Sequence, residues 1–541
     1  ESGVIRAILL GERHWMDDEI KQLYQESGIS HLLSISGLHV SLIGMTIYCL
    51  LKRMKLGLFI STFVCIAFIY SYGLLTNFSV STNRAIVMLL ITLLARVCGR
   101  TYDILSAMAL SAFVILMQNP MQIFSAGFLL SFGSVLGIAI LMPCFKSIIQ
   151  TENVIINSIL VSLSTQLMTL PLILYFFYQY PLYSLLINLI LLPLMSIVVI
   201  SALIAGIVGM IHLPFGVFLI GGANYILKFY EAVSRVGTYL PSNLITVGKP
   251  DIIWVFLYYI ILAMFIILVK KYSSRKTIFL LIINIALIVA PKHKPGLTVT
   301  MLDVGQGDGI FMETESGTRF LIDGGSSDVN QVGRYCIQPF LLSRGADRID
   351  YAIVSHYDYD HISGLKELLE NSKIRIDNLI LPQLEEGVLD NEMNLEIEEI
   401  ARKKSCQIFY IKAGDIIREG NLCITCLHPA DDYLVKTNNG YSVVLSVNYK
   451  EFDMLLTGDL EVDGEDLILE SFDKGYYDVL KVAHHGSKFS TGQEFLRATN
   501  PDYALISCGE NNIYGHPHEE LLDRLNDIGS EVIITYDSGA I

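Results

Sequence analysis

The chain has 541 residues, too many for one ordinary domain, and 52% of them are apolar, with a mean hydropathy of +0.50. This composition excludes a small soluble protein and favours a membrane protein. Residues 1–295 hold 19 basic and 10 acidic side chains, whereas residues 296–541 hold 19 and 43, a net charge of −24. We therefore expect a weakly charged membrane region followed by an acidic soluble domain.

The N-terminal stretch, residues 1–31, mixes charges with short apolar groups, and we interpret it as an interfacial segment on the extracytoplasmic side. Asp17–Gln25 predicts a short amphipathic helix at a surface. His31–Gly44 then reads HLLSISGLHVSLIG. Its small residues favour close approach between helices, and His39 is expected inside or at the edge of the bilayer.

Hydrophobic segments follow one another from residue 32 to residue 290, which predicts a transmembrane channel domain of about ten spans. The seventh is long, and Pro193 is a candidate for dividing it into two half-helices, which would change the parity. The ten predicted spans are 32–51, 56–75, 80–98, 104–118, 124–145, 154–178, 183–211, 215–236, 252–269 and 277–290.

Basic residues set the expected orientation. They cluster after the first, third, fifth and ninth spans, for example at Lys52, Arg100, Lys146 and Lys271. With ten spans these positions share one side, which the positive-inside rule makes cytoplasmic. The N-terminal residues and everything after Pro291 are then expected outside the cytoplasmic membrane.

Four polar residues within the apolar segments are candidates for lining a channel: His39, Asn83, Arg84 and Gln166. An ionisable group at membrane depth is costly and normally faces a bundle interior or water. Hydrogen bonding between helices is the alternative, and it is the preferred interpretation for the two amides. For His39 and Arg84 we favour a role in transport.

Residues 291–296 read PKHKPG and are interpreted as a linker. Over residues 297–541 short β-branched runs alternate with helical ones, which predicts an α/β domain. Predicted strands lie near 298–303, 319–323, 350–355, 422–427, 441–448, 452–457, 477–482, 503–507 and 531–535, and predicted helices near 361–370, 391–403, 492–499 and 517–527.

The nine cysteines form no evident disulfide framework. Cys423 and Cys426 have CxxC spacing but fall in a predicted strand. Residues three apart in a strand face opposite sides, so a shared metal or redox site is disfavoured. The chain starts at Glu1 without a signal peptide and stops at Ile541 in a turn-like stretch, from which we expect a fragment of a longer protein.

The chemistry centres on Ser355–Gly364, which reads SHYDYDHISG between a predicted strand and a predicted helix. Imidazoles and carboxylates crowded in one loop suit a divalent transition metal, because crowded carboxylates repel unless a cation bridges them. Further ligand-type residues follow other predicted strands: Asp323, Asp459, His484, His485 and His516. Together these residues predict a metal site.

The HxDxDH loop, the Gly-Asp after a strand and the late His resemble the metallo-β-lactamase fold. The soluble half also contains the motifs DVGQGD (Asp303–Asp308), LTGDLE, AHHGS and YGHP, and the membrane half contains LLSISGLHV, RAxxM (Arg84–Met88) and GFLLSF (Gly127–Phe132). Together these motifs resemble the ComEC family of bacterial competence proteins. The resemblance implies a polytopic α-helical membrane domain followed by an α/β metallo-β-lactamase-like (αββα) domain at 297–541.

The resemblance also implies roles for individual residues. His356 and Asp358 would hold one metal ion. Asp360 and His361 would hold the second and serve catalysis, with His485, or alternatively His484, as a further ligand, and Asp459 would bridge the two ions. The carboxylates Asp323, Asp303 and Asp308 would support the ligands from behind. Ser487 and His516 would hold phosphate or protonate the leaving oxygen.

The donor set bears on the identity of the metal. Asp358 stands where the fold commonly has a second His, and Asn439 falls where a further His is usual. Oxygen-rich sites favour hard ions, so we expect two divalent ions, with Mn²⁺ favoured and Zn²⁺ as the alternative.

The family resemblance implies a channel of the bacterial cytoplasmic membrane that imports one strand of transforming DNA. The soluble domain would be a metal-dependent hydrolase, a nuclease that degrades the other strand outside the membrane. DNA, the bilayer, a competence DNA receptor and a cytoplasmic helicase-type protein are the implied partners. Two alternatives stay open: the hydrolase fold is a non-catalytic scaffold, or it is a tethered small-molecule hydrolase. The net charge of −24 opposes DNA binding.

Overall fold

The computed structural model describes residues 2–33, 35, 37–290, 295–383, 392–430, 437–470 and 475–541. It divides into two compact units, Glu1–Ala290 and Pro291–Ile541. Residues 291–294 of the predicted linker lie outside the described residues.

The N-terminal unit is helical. Its described residues place one helical segment at each of the ten predicted spans, and seven of those segments are long and apolar enough to cross a membrane. The protein is therefore a multi-pass membrane protein. The helices are α1 (Ser2–Leu10), α2 (Asp18–Glu26), α3 (Gly37–Arg53), α4 (Leu58–Leu75), α5 (Val80–Val97), α6 (Ile104–Gln118), α7 (Ala126–Leu136), α8 (Met142–Ile149), α9 (Val154–Phe177), α10 (Ser184–Ile211), α11 (Leu213–Tyr239), α12 (Ile252–Tyr272) and α13 (Ile278–Val289). A π-helical turn, Gly137–Leu141, joins α7 to α8, and the short strands β1 (Gln179–Pro181) and β2 (Leu244–Thr246) pair antiparallel.

Pro193 does not divide the seventh span. It lies inside the continuous helix α10, so the expectation of two half-helices was wrong. Proline removes one backbone donor from a helix, but neighbouring helices in a bundle compensate for that loss. The even number of helical segments is therefore retained.

The N-terminal segment packs more deeply than a surface position would require. In α1, Val4, Ala7 and Ile8 are buried in the same apolar cluster as residues of α3, α4, α5, α10 and α11. The predicted amphipathic helix is α2, whose polar face pairs Glu19 with Arg235 of α11 at 2.8 Å.

The C-terminal unit contains two mixed β-sheets with helices on their outer faces, as predicted for the αββα fold. The first sheet has the order β3-β4-β5-β6-β7-β8 and the second β15-β14-β13-β12-β11-β10-β9. The strands are β3 (Thr298–Met301), β4 (Ile310–Glu313), β5 (Arg319–Ile322), β6 (Arg348–Ile353), β7 (Arg375–Pro382), β8 (Gln407–Ile411), β9 (Ile416–Glu419), β10 (Leu422–His428), β11 (Val444–Tyr449), β12 (Phe452–Leu456), β13 (Val479–Lys481), β14 (Tyr503–Ile506) and β15 (Glu531–Ile534). The helices are α14 (Gln338–Ser343), α15 (Tyr359–Asn371), α16 (Glu392–Lys403), α17 (Val462–Glu470), α18 (Gln493–Thr499), α19 (Glu519–Asp527) and α20 (Thr535–Ser538).

The core of this unit has three apolar layers. A central cluster lies between the sheets and joins residues such as Phe320 and Ile353 of the first sheet to Val447 and Met454 of the second. Outer clusters pack α15 and α16 on the first sheet and α17, α18 and α19 on the second. Strand β10 alternates between buried and half-buried residues, and it places Cys426 in the core and Cys423 on the opposite face, as expected.

Parallel pairing directs several strand ends to one edge. In the first sheet β5 is parallel to β6, and in the second β12, β13 and β14 run parallel. The loops after these strands carry Asp323, His356, Asp459, His485 and Ser507, respectively. Function-bearing side chains commonly collect beyond the carboxyl ends of such strands.

Candidate metal centre

The carboxylate of Asp323, which follows β5, contacts the loop after β6 at two positions. One carboxylate oxygen of Asp323 accepts a hydrogen bond from the Ser355 backbone N–H at 2.7 Å, and the other lies 3.0 Å from His361 Nδ1. Because a carboxylate accepts, this contact places the imidazole proton on Nδ1 and leaves Nε2 as a donor for a metal. Gly325 permits the arrangement, since a Cβ there would meet the backbone of Asp360 at 2.4 Å.

Asp459 and His485 face this loop from the second sheet. Asp459 Oδ1 lies 3.3 Å from His361 Nε2, and its Oδ2 lies 3.4 Å from His485 Nε2. The same His485 nitrogen lies 3.4 Å from Asp360 Oδ2. His485 Nδ1 lies 3.0 Å from the Ser507 carbonyl, to which it donates, so in the neutral imidazole Nε2 carries the electron pair that faces the site.

The two adjacent histidines are presented by a left-handed turn. His484 and His485 have φ values of 51° and 53°, and Gly486 follows with φ 90°. Consecutive non-glycine residues in this region are costly and occur mostly where function requires them. His485 is buried, whereas the His484 side chain is 27% exposed and its Nε2 lies 3.9 Å from Asp459. The geometry favours His485 over His484 as a ligand.

The convergent atoms fit a metal. In the described part of the chain, the Nε2 atoms of His356, His361 and His485 and Oδ1 of Asp459 are buried without a hydrogen-bond partner. Buried polar atoms are nearly always satisfied, so a cluster of unsatisfied electron-pair donors calls for a cation. The compatible ligand sets, with donor atoms within 4.8 Å of one another, include His356–His361–Asp459, Asp360–His361–His485 and Asp308–Asp459–His485.

The carboxylates of the site are poised to bind that cation. Burial opposes the ionisation of Asp360, but the adjacent imidazoles of His485 and His361 outweigh burial and lower the pKa of Asp360 to about 2. Asp360 is therefore ionised at neutral pH.

Lys481 is a part of the site that the sequence analysis missed. It ends β13, is 1% exposed, and forms an ion pair with the buried carboxylate of Asp308. Its Nζ also donates to the Gly458 carbonyl at 2.8 Å and lies 3.7 Å from Asp459 Oδ1. Burial lowers a lysine pKa, but the charges of Asp308 and Asp459 outweigh burial and raise the pKa of Lys481. The site thus contains a fixed positive charge behind its carboxylates.

Comparison with known proteins agrees with the predicted family resemblance. A model described as competence protein matches residues 8–272, and one described as metallo-beta-lactamase superfamily matches residues 302–378. The chain is 28% identical to ComE operon protein 3 of Bacillus subtilis (strain 168), with 100% of this chain and 71% of that protein covered. It is 27% identical to competence protein ComA of Neisseria gonorrhoeae, with 100% and 74% covered.

Along its whole length the chain is similar to the ComEC family of competence proteins. It carries that family's membrane region and, after it, a metallo-β-lactamase superfamily domain. Among solved structures, Zn²⁺-bound PqqB from Methylobacterium extorquens is similar with a TM-score of 0.30 and 10% identity, over 44% of this chain and 98% of that one.

Within this ComEC-type domain, the predicted ligand Asp358 is hydrogen-bonded to Asn438, the residue before the expected Asn439. Asn438 Nδ2 donates to Asp358 Oδ1 at 2.6 Å, while Asn439 Nδ2 lies 3.5 Å from His484 Nδ1. Asp358 Oδ2 lies 3.6 Å from His356 Nε2, and its side chain is 39% exposed. Asn438, and not Asn439, therefore contacts the predicted ligand Asp358.

Two predicted site residues are placed differently from the expectation. Asp303 is exposed, and its carboxylate accepts a hydrogen bond from Gly305 N in its own loop, so the prediction that it supports the ligands was wrong. Ser487 is buried, and its hydroxyl accepts from Phe489 N at 3.3 Å. That contact stabilises the turn after the histidines, and the role of the hydroxyl toward phosphate stays a prediction.

His516 lies at the edge of the cluster, with ring-centroid distances of 5.6 Å to His484 and 6.3 Å to His485. Burial and the neighbouring imidazoles lower the pKa of His516 to about 4. It is thus neutral at neutral pH and is suited to hydrogen bonding more than to proton donation.

The candidate channel residues occupy two neighbourhoods of the membrane unit. On α5, Arg84 Nε donates to Ser131 Oγ of α7 at 2.8 Å, and Asn83 Nδ2 donates to Gln118 Oε1 of α6 at 3.0 Å. His39 is buried on α3, which packs against α5. Gln166 of α9 instead donates to Ser184 Oγ at the start of α10. Both amides therefore join neighbouring helices, as their preferred interpretation expected.

Proposed function

We propose that this protein imports one strand of transforming DNA through its membrane unit and that its C-terminal unit is a metal-dependent nuclease for the other strand. The observation that carries the proposal is the convergence of unsatisfied imidazole and carboxylate atoms in a metallo-β-lactamase-type domain that follows a competence-type membrane region. DNA is the substrate that this family implies, and a phosphodiester is the hydrolysable bond it contains.

Divalent ions at such a centre would neutralise phosphate charge and activate water for attack. Two of them would be held by His356, Asp360, His361, Asp459 and His485, which converge, together with Asp358, which lies beside His356, and Mn²⁺ is the proposed metal. Asp323 and the Ser507 carbonyl fix the tautomers of His361 and His485. Lys481, which is ion-paired with Asp308, would also hold the Asp459 carboxylate in place, because its Nζ lies near Asp459 Oδ1. His516 would donate a hydrogen bond to a phosphate oxygen.

The membrane unit supplies the proposed path. Arg84 is 8% exposed and His39 is 1% exposed, and both lie on apolar helices. A buried guanidinium in such a bundle offers a fixed charge to a passing phosphate, although its bond to Ser131 also serves helix packing. The acidic C-terminal unit, proposed to lie outside the cytoplasmic membrane, would receive its strand with help from bound cations or a partner, because its net charge repels DNA.

The test uses the full chain in lipid nanodiscs with DNA labelled on one strand and with Mn²⁺, Zn²⁺ or Mg²⁺ added separately. We expect cutting that is fastest with Mn²⁺. Asp360→Ala removes a direct ligand and should lower the rate by more than the roughly 10–100-fold typical of an outer-shell partner. Asp303→Asn, in an exposed loop, is the matched control and should cut normally.

Other outcomes would contradict parts of this proposal. Absence of cutting with every metal would favour the scaffold interpretation. Cutting that survives Asp360→Ala would mean that the centre is elsewhere, and fastest cutting with Zn²⁺ would contradict the metal preference.

A further inference from the structure

The three loops that carry the proposed catalytic residues each present an exposed aromatic side chain. Tyr359 lies within the HxDxDH loop, Phe489 follows the two histidines, and Tyr514 precedes His516. Their side chains are 53%, 67% and 52% exposed. Large aromatic side chains normally bury much of their surface, so three of them beside a reactive centre indicate a binding surface.

Contacts connect these loops to one another and to the metal centre. The Tyr514 ring stacks on His516 with centroids 5.6 Å apart, and the rings of His516 and His518 are 5.0 Å apart. The loop that ends in Phe489 is joined to His518, because Lys488 N donates to His518 Nδ1 at 3.3 Å and His518 N donates to the Gly486 carbonyl at 3.0 Å.

Tyr359 is exposed and is adjacent in the chain to two of the proposed metal ligands. It lies between Asp358 and Asp360, and Asp360 Oδ2 is 3.4 Å from His485 Nε2. We call Tyr359, Phe489 and Tyr514 the aromatic rim. Each member is at most five residues along the chain from a proposed metal ligand or from His516.

The charge of the C-terminal unit favours one kind of ligand, single-stranded nucleic acid, over a duplex. The C-terminal half of the chain has a net charge of −24. The cation next to Phe489, Lys488, is shared with Glu520, at 3.7 Å, and Lys481 is buried. A duplex exposes closely spaced phosphates, hides its bases in its own stack, and binds mainly to basic side chains. Unpaired bases instead stack on aromatic rings whatever the sequence, and this attraction needs no basic patch.

We propose that the aromatic rim stacks unpaired bases and thereby makes single-stranded nucleic acid, in preference to a duplex, the substrate of the metal centre. The inference rests on the proposed nuclease function for its biological meaning. Its physical content, recognition of bases by the rim, is measurable without any cleavage.

The binding experiment uses the full chain in nanodiscs with EDTA, so that no strand is cut. Fluorescence anisotropy compares labelled oligothymidylate, an abasic strand with the same number of phosphates, and a hairpin duplex. We expect the thymidine strand to bind roughly tenfold or more tighter than the abasic strand, since stacking contributes this much per base. Tyr514→Leu and Phe489→Leu should each remove most of that difference, because leucine keeps apolar volume without a flat ring.

Matched variants separate stacking from damage to the fold. Tyr514→Phe and Phe489→Tyr retain the ring and should bind as the unmodified chain does. Phe409→Leu changes an exposed aromatic residue on the edge strand β8 and should have no effect. The membrane unit is also proposed to bind a strand. The contribution of the aromatic rim to affinity is therefore taken from the differences in affinity among the variants.

Several results would overturn the inference: equal affinity for the thymidine and abasic strands, no measurable binding of the thymidine strand, duplex binding as tight as that of the single strand, or leucine variants that bind normally. Cleavage with Mn²⁺ of the abasic strand, a chain of phosphodiesters without bases to stack, provides the separate test. The control variant Phe409→Leu should leave its rate unchanged. Failure of the unmodified chain to cleave the abasic strand or any DNA would refute the nuclease proposal while leaving base recognition measurable.

Discussion

Lys481 is the residue whose placement most changes the interpretation of the site. Lysine is almost never fully buried unless it is paired, and here the pairing is with Asp308 and, at longer distance, with Asp459. The centre therefore balances its carboxylates partly with a permanent cation of its own chain. We infer that this lysine keeps the site folded when metal is scarce.

Lys481→Met tests this role. The change leaves Asp308 buried and uncompensated, which typically costs about 3–5 kcal/mol when one partner of a buried pair is removed. In EDTA we expect weaker hydrogen-exchange protection of the β12 and β13 amides in the full chain, and we expect Mn²⁺ to restore part of it. The double variant Lys481→Met/Asp308→Asn removes both charges and should need no added metal. Normal protection of Lys481→Met in EDTA would show that the pair has no such role.

At the scale of elements, Glu465 connects α17 to the start of α18. Its carboxylate accepts the backbone N–H of Thr491 and, at 2.8 Å, that of Gly492. Burial nevertheless dominates and raises the pKa of Glu465 from its ordinary value of 4.5 to about 7. Between these two values the folded state binds more protons than the unfolded chain, so this group's contribution to stability falls as pH rises through that window.

Glu465→Gln should remove that dependence. Between about pH 5 and about pH 8, the unmodified chain should lose protection of its β13 and β14 amides, corrected for intrinsic exchange rates, relative to the variant. Glu494→Gln, a change at an exposed position of α18, is the control. Parallel pH profiles for the unmodified chain and Glu465→Gln would contradict the assignment.

Sequence patterns predicted some elements well and missed others for identifiable reasons. The ten helical segments of the first unit were predictable because long apolar runs have few other solutions in a membrane. Strands β4, β7, β8 and β9 were not predicted. Residues Ile310–Glu313 and Ile416–Glu419 form strands of only four residues, too short for a clear alternation, and β7 is nearly all buried at its end.

Some residues of the metal centre were likewise predictable from the sequence, and others were not. Residues within one loop, such as His356 and His361, were predictable from their spacing in the sequence. Residues at strand ends, such as Asp459, were predictable because the ends of parallel strands meet at one edge of a sheet. Lys481 and Asn438 could not be inferred, because their importance lies in partners that are distant in the chain, Asp308 and Asp358. The available signal was a lysine in an otherwise apolar predicted strand, two residues before the AHHGS motif, and Asp303 misled because it shares a motif with Asp308.

At the scale of the whole molecule, orientation in the membrane decides whether the proposed nuclease can meet incoming DNA. By the positive-inside rule we expect the ends of α3, α5 and α12, which carry basic residues, to be cytoplasmic. With all ten helical segments crossing the membrane, the C-terminal unit is then expected on the opposite side, where we propose that it meets the strand that is not imported.

Thiol labelling of intact spheroplasts tests this orientation directly. Cys49 and Cys98 are exposed and are first replaced by serine to remove background. A cysteine introduced at the exposed position Asp523 of α19 should react with a membrane-impermeant maleimide, whereas one at Lys271 should react only after lysis. The reverse pattern would put the metal centre in the cytoplasm. The C-terminal unit could then act only on a strand that had already entered, and degradation of the excluded strand would have to be assigned to another protein.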